Sequence, residues 1–262
     1  MKLTIVFLLL ATSARAQFTV EEMLKPYVYT NETGEAFAYR MSVPQFPLPG
    51  KAYPLILFLH GSGECGTDNQ RQIKVGLPSL MATLLKRPEP VIVVAPQCQP
   101  GNGWIKQLAR EESYAMSKEP AASLEVAIEV CRHVAATRQA DMNRLYITGL
   151  SLGGFGTWDA IQREPDLFAA AIPICGGGDT RRVQGIKKMP VWVFHGADDV
   201  NVAVACSRRM VEALKLAGSR KVRYTEYEKA THNVWDRTYA NPEVIDWLLQ
   251  QSRAKTPWWR FW

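Results

Sequence analysis

The sequence predicts an α/β doubly wound domain, with a mostly parallel sheet covered by helices on both faces. Three observations carry this expectation. Short, almost wholly apolar runs recur at Leu55 to His60 (LILFLH), Val91 to Ala95 (VIVVA), Leu145 to Thr148 (LYIT), Ala169 to Ile174 and Val191 to Phe194 (VWVF). Strands buried on both faces need such runs. Helical patterns fall between them, as βαβ crossovers require. The third observation is size: 262 residues, 47% of them hydrophobic and 21% charged, are enough for one sizeable core.

The elements follow in order. Residues 1–16 have the form of a cleaved export signal: a positive start at Lys2, an apolar run from Leu3 to Ala11, and Ala14-Arg15-Ala16 before Gln17. The run is shorter than the roughly 20 residues a bilayer span needs. The expected organisation is a signal over 1–16 and one domain over 17–262. Ala36 to Val43 reads as the first strand, and PQFPLPG (44–50) as the turn after it. Leu124 to Ala136 places Leu124, Ile128, Cys131 and Ala135 on one helical face. Gly154 to Arg163, Cys206 to Leu216 and Val244 to Gln251 are the other helices, and Val222 to Tyr227 is a further strand. Right-handed crossovers gather functional loops at the carboxyl ends of such strands.

Composition excludes several classes. A disordered chain lacks this much apolar material, and no repeat of solenoid or propeller period is visible. The net charge of +6 is dispersed, and basic residues cluster only in pairs such as Arg181-Arg182 and Arg208-Arg209. No nucleic-acid partner is expected. Loss of Lys2 and Arg15 with the signal would lower the charge to +4. No second long apolar run follows, so no stable membrane insertion is expected and the mature protein should be exported, to the periplasm or beyond. Five cysteines remain, at 65, 98, 131, 175 and 206, without zinc spacing. Neither a metal nor a cofactor is expected. Cys65 and Cys98 follow strands expected to be neighbours, which leaves a disulfide between them open.

Gly149-Leu150-Ser151-Leu152-Gly153 is G-x-S-x-G, set directly after a strand and before a helix. In that context the motif is a nucleophile elbow. A sharp turn lifts the central hydroxyl clear, small residues two positions away prevent a backbone clash, and the helix N-terminus favours developing negative charge. A serine hydroxyl needs an adjacent base. Of the four histidines, His133 lies mid-helix, while His60 and His195 end strands. Only His232, in the loop KATHNVWD, leaves room for an acid between it and Ser151 in the order Ser, acid, His. The acid belongs after the penultimate strand, where G-x-x-D spacing from Gly196 points to Asp199. Asp198 stays open as its neighbour, and Asp179 is a third candidate. Leu152 would supply one oxyanion N–H and Gly61 or Ser62, in HGSG, the other. Gln97, Trp104 and Trp235 are candidate substrate contacts, whereas Trp158 reads as core. Cys175 has no base placed for it.

The combination LHGSGECGTDN (59–69), VAPQC (94–98), GLSLGGFGTWD (149–159), PICGGGD (173–179), VWVFHGADD (191–199), YTEY (224–227) and THNVWDRTY (231–239) resembles the α/β-hydrolases. Within them it is similar to the polyhydroxybutyrate-depolymerase-like and feruloyl or acetyl-xylan esterase group. The resemblance implies a Ser-acid-His esterase fold, no cofactor, and the same roles for Ser151, Asp199 and His232. It implies a serine carboxylesterase acting on short-acyl or hydroxycinnamoyl esters, small or attached to plant cell-wall polysaccharide. The group usually carries a basic residue where this chain has Cys65, and Val-Pro where it has Val202-Ala203, which bears on substrate preference. Residues 175–190 are too few for a lipase-type lid. Two alternatives stand beside the esterase: a serine peptidase of prolyl-oligopeptidase type, for whose gating propeller the chain has no room, and a catalytically silent carbohydrate-binding relative. The oligomeric state and the role of the tail from Thr256 to Trp262 stay open.

Overall fold

The computed structural model describes residues 19–44, 47–106 and 114–253. The export-signal pattern and the tryptophan-rich tail lie outside these residues. Eight strands form one sheet: β1 (Lys25–Thr30), β2 (Ala36–Ser42), β3 (Tyr53–Leu59), β4 (Ile92–Pro96), β5 (Ala140–Leu150), β6 (Ala170–Ile174), β7 (Val191–Gly196) and β8 (Val222–Tyr227). Their spatial order is β1-β2-β4-β3-β5-β6-β7-β8. The β1–β2 and β2–β4 pairs are antiparallel, and the remaining pairs are parallel.

Side-chain alternation explains the apolar runs. Leu55, Leu57 and Leu59 of β3 enter the core on one face, against α3 (Ala122–Thr137), α4 (Leu152–Arg163) and α5 (Ala205–Leu216). Ile56 and Phe58 enter the opposite core, against α2 (Leu77–Leu84), α6 (Trp235–Ala240) and α7 (Pro242–Leu249). All seven residues of β3 are therefore buried. A single helical turn of four residues, α1 (Val20–Met23), begins with a capping box between Thr19 and Glu22.

The connections decide where a site can form. From β3 the chain crosses to β4 on one side, then returns past β3 to β5 on the other. The crevice beyond the carboxyl ends of β3 and β5 is thus a topological switch point, where ligands of open α/β sheets bind. The loops after β7 and β8 leave the sheet at the same end. Residues 175–190 carry a 3-10 turn, Thr180–Ile186, whose Val183 and Ile186 are buried against the body. Among the described residues no helix is long and apolar enough to cross a membrane.

Candidate active site

The site begins with the turn from β5 into α4. Ser151 occupies it with φ 55° and ψ −117°, a left-handed conformation that a side chain adopts only under constraint. The constraint is visible on both sides. The Ser151 amide donates to the Ile174 carbonyl at 2.9 Å, and its carbonyl accepts from the Phe155 amide at 3.1 Å. The flanking glycines admit no side chain: a Cβ on Gly153 would lie 2.0 Å from the Leu59 carbonyl oxygen, and one on Gly149 would lie 2.3 Å from that of Gly153. Gly153→Ala is accordingly expected to lower stability by about 3 kcal/mol or more. Urea denaturation checks this, and an unchanged midpoint would contradict the packing described.

His232 follows β8 and reaches across to the elbow. Its Nε2 lies 2.9 Å from Ser151 Oγ, and its Nδ1 lies 2.6 Å from Asp199 Oδ2. An ionised carboxylate only accepts, so Nδ1 carries a proton toward Asp199, and neutral His232 presents the Nε2 lone pair to the serine hydroxyl. Trp235 packs edge-on against the imidazole, with centroids 5.2 Å apart. The Cys175 thiol donates to the His232 carbonyl at 3.3 Å. Burial pushes that thiol's pKa up, which keeps it protonated beside the serine.

Asp199 is buried in the loop after β7. Its Oδ1 accepts from the Asn201 and Val202 amides, each at 2.9 Å. Burial alone would raise its pKa, but hydrogen bonds from His195, His232 and the Val202 amide outweigh it and hold the carboxyl well below the usual carboxylate range. His195 was visible in the sequence only as the end of a strand. In the fold its Nε2 lies 3.2 Å from Asp199 Oδ2 and 3.0 Å from the Val202 carbonyl. Both are acceptors, so Nε2 is protonated. Ser207, in α5, engages its Nδ1 at 2.7 Å. Asp199 Oδ2 therefore faces two histidines, a feature that contacts across three elements create.

The other acid candidates lie differently. Asp198 is exposed, and the carboxylate on His232 Nδ1 is that of Asp199. Asp179 caps the 3-10 turn, accepts from the Met116 amide at 3.1 Å and pairs with Arg181 at 2.7 Å. Arg181 is the main reason its pKa falls to about 2. This is a structural role, not one beside His232.

The HGSG loop leaves β3 next to the elbow. Gly61 is buried and Ser62 exposed at the start of a short 3-10 turn, Ser62–Glu64. Leu152 opens α4, where the first amides have no acceptor within the helix. His60 is fully buried and neutral, its pKa lowered to about 4 by burial. Its Nδ1 donates to the Gly61 carbonyl at 2.6 Å, and its Nε2 accepts from the Cys98 amide at 3.0 Å. It shapes the loop from behind.

Two expected substrate contacts turn out to be engaged internally. Gln97 accepts from the Asn69 amide at 2.7 Å and donates to the Glu64 carbonyl and the Asp68 carboxylate. Its whole polar end ties down the 64–69 segment. Trp104 is 1% exposed, donates to the His60 carbonyl at 2.9 Å and stacks its edge on the His60 ring. Trp235 is the exception, since it lies against His232. Its Nε1 is buried without a hydrogen-bond partner in the structure. His133 is exposed and touches Tyr29, and Trp158 is fully buried.

Comparison with known proteins places the fold. The model of the prolyl oligopeptidase family matches residues 117–190, which include the elbow but stop before Asp199 and His232. The structure of a thermostable esterase is 41% identical, with a TM-score of 0.80 over 89% of this chain and 64% of that one. The chain has the α/β-hydrolase fold. Poly(3-hydroxyalkanoate) depolymerase C of Paucimonas lemoignei is 27% identical over 195 residues, covering 63% of this chain and 45% of that protein. The chain thus spans less than half of that curated relative and under two thirds of the esterase. At 18% identity, the feruloyl esterase module of Clostridium thermocellum, solved with sinapinate, shares the fold with a TM-score of 0.59 over 84% of this chain and 86% of that one. The acylaminoacyl peptidase of Pyrococcus horikoshii shares it at 15% identity, with a TM-score of 0.64 over 91% and 44%. The proteins that share this fold thus include esterases and a peptidase.

Proposed function

We propose that the protein is a serine carboxylesterase in which Ser151 is the nucleophile, His232 the general base and acid, and Asp199 the group that orients His232. The observation that carries this reading is the unbroken hydrogen-bond chain from Ser151 Oγ through His232 to Asp199 Oδ2. Ser151 attacks the ester carbonyl while His232 Nε2 takes its proton. The tetrahedral oxyanion is held by the Leu152 N–H and by that of Gly61 or Ser62, each donor contributing about 3 kcal/mol. His232 returns the proton to the leaving alcohol, and water then cleaves the acyl-enzyme by the same steps reversed.

The substrate proposed is a short-acyl or hydroxycinnamoyl ester, free or carried on cell-wall polysaccharide. The esterase likenesses support the bond type. The short 175–190 segment supports a soluble or polymer-borne ester over a lipid droplet, because it holds a 3-10 turn packed on the body and too little chain for a lipase-type lid. Export after cleavage at Ala16/Gln17 belongs to the same proposal, and N-terminal sequencing of the mature protein tests it.

A peptidase with the same triad is the second reading, favoured by the family model and by the acylaminoacyl peptidase likeness. Parallel assays separate the two. Hydrolysis of p-nitrophenyl acetate should far exceed that of an aminoacyl-p-nitroanilide, whereas comparable amide turnover would overturn the esterase reading. A panel of acetyl, butyryl, methyl ferulate and acetylated xylan substrates then resolves the acyl group.

The pH dependence follows from the charges. Asp199 stays ionised far below the working range, so it adds no second proton-linked step to the loss of the general base. On the acid side kcat/KM should fall about tenfold per pH unit, with unit slope. A slope of two, or a flat profile from about pH 5 to about pH 8, would contradict this assignment of base and acid.

A further inference from the structure

Behind the HGSG loop lie two thiols that the hydrolytic chemistry does not use. Cys65 ends the 3-10 turn that begins at Ser62, and Cys98 lies just past the end of β4. The Gly66 amide donates to the Cys98 carbonyl at 2.8 Å, which locks the two backbones side by side. The Sγ atoms of Cys65 and Cys98 and a ring nitrogen of His60 all fall within 4.8 Å of one another. Such a cluster has two chemical uses, a metal ion or a disulfide. The ring nitrogens decide against the ion. His60 Nδ1–H donates a hydrogen bond to the Gly61 carbonyl and Nε2 accepts one from the Cys98 amide, so no lone pair is left to ligate. Two thiols without a third protein donor make a poor metal site. They make a complete disulfide pair.

We propose that Cys65 and Cys98 form a reversible disulfide that staples the HGSG loop to the end of β4. The exposures assign the roles. Cys65 is half-buried and accessible, whereas Cys98 is fully buried. A hydrogen bond from the Cys98 thiol lowers the Cys65 pKa and marks it as the attacking sulfur. The oxidant is a small-molecule disulfide, RSSR. The Cys65 thiolate attacks one sulfur of RSSR, the S–S bond breaks, and the first thiol RSH leaves. Cys98, no longer sharing its proton with a thiolate, then attacks the Cys65 sulfur and expels the second RSH. Two protein thiols become one disulfide, and RSSR becomes two RSH, so electrons and protons balance. Cys131 lies in mid-α3 and Cys175 beside His232, outside this cluster.

The test reads sulfur chemistry and does not depend on ester turnover. The folded protein is equilibrated with oxidised glutathione, unfolded in the presence of an alkylating agent, and mapped by peptide mass spectrometry. A Cys65–Cys98 cross-link is expected, with titratable thiols falling from five to three. The midpoint of thermal unfolding should rise by about 5–10 °C, because the bridge closes a long loop in the unfolded chain. Dithiothreitol should reverse both changes. The Cys65→Ser variant should show neither the cross-link nor the rise. Persistent glutathione on Cys65 without a cross-link would overturn the proposal. So would a stoichiometric metal ion that a chelator must remove before the thiols react.

Discussion

Ser151→Ala is expected to lower kcat/KM for p-nitrophenyl acetate by about 10⁴-fold or more. The elbow predicts that this loss comes without unfolding. Alanine keeps the same Cβ at φ 55°, so the strained turn and its bonds to Ile174 and Phe155 stay as they are. Thermal unfolding should therefore shift little while turnover collapses. His232→Ala should cost about as much alone, and the double variant little more, since the two groups act as a unit. Residual activity within tenfold of wild type would remove Ser151 from the reaction.

Asp199→Asn is expected to lower kcat by about 10⁴-fold, because an amide can donate to Nδ1 and turn His232 to the wrong tautomer. Nε2 would then carry the proton and could no longer receive one from Ser151. The companion variant Asp198→Asn decides between the two neighbouring carboxylates. Asp198 is exposed while Asp199 touches His232 at 2.6 Å, so Asp198→Asn should leave kcat within about a factor of three, as surface changes away from a site usually do. If the larger loss fell on Asp198, the acid would be misassigned.

The strands were legible wherever both sheet faces are covered. β3 and β4 fall within one or two residues of the apolar runs that predict them, and β8 spans the range its alternation predicts, whereas β5 begins at Ala140, ahead of the buried run from Leu145, because its first residues are only partly covered. β1 (KPYVYT) escapes the apolar-run pattern because it is an edge strand with four of its six residues exposed. α6 carries no sequence signal that separates it from the KATHNVWD loop, because it is short and starts at Trp235 without a side-chain cap. α2 was also missed, with Pro78 near its start and Gly76 before it at positive φ.

The elbow was legible for a local reason: its geometry is set by glycines two positions from the serine. Chain order points to His232 and to the loop after β7, and G-x-x-D spacing favours Asp199 there while leaving Asp198 open. The internal roles of Gln97 and Trp104 could not, since their partners lie about thirty to forty residues away in sequence and only the sheet brings them together. The same holds for His195, whose contacts to Asp199, Val202 and Ser207 depend on how α5 packs on β7.

Covalent labelling by a fluorophosphonate, mapped by peptide mass spectrometry, tests the account most directly. The reagent traps only a serine that a base has activated, and it needs no knowledge of the natural ester. A single adduct on the peptide containing Ser151 is predicted, formed by wild type and lost in Ser151→Ala and His232→Ala. An unlabelled wild-type protein, or an adduct at any other residue, would contradict Ser151 as the nucleophile.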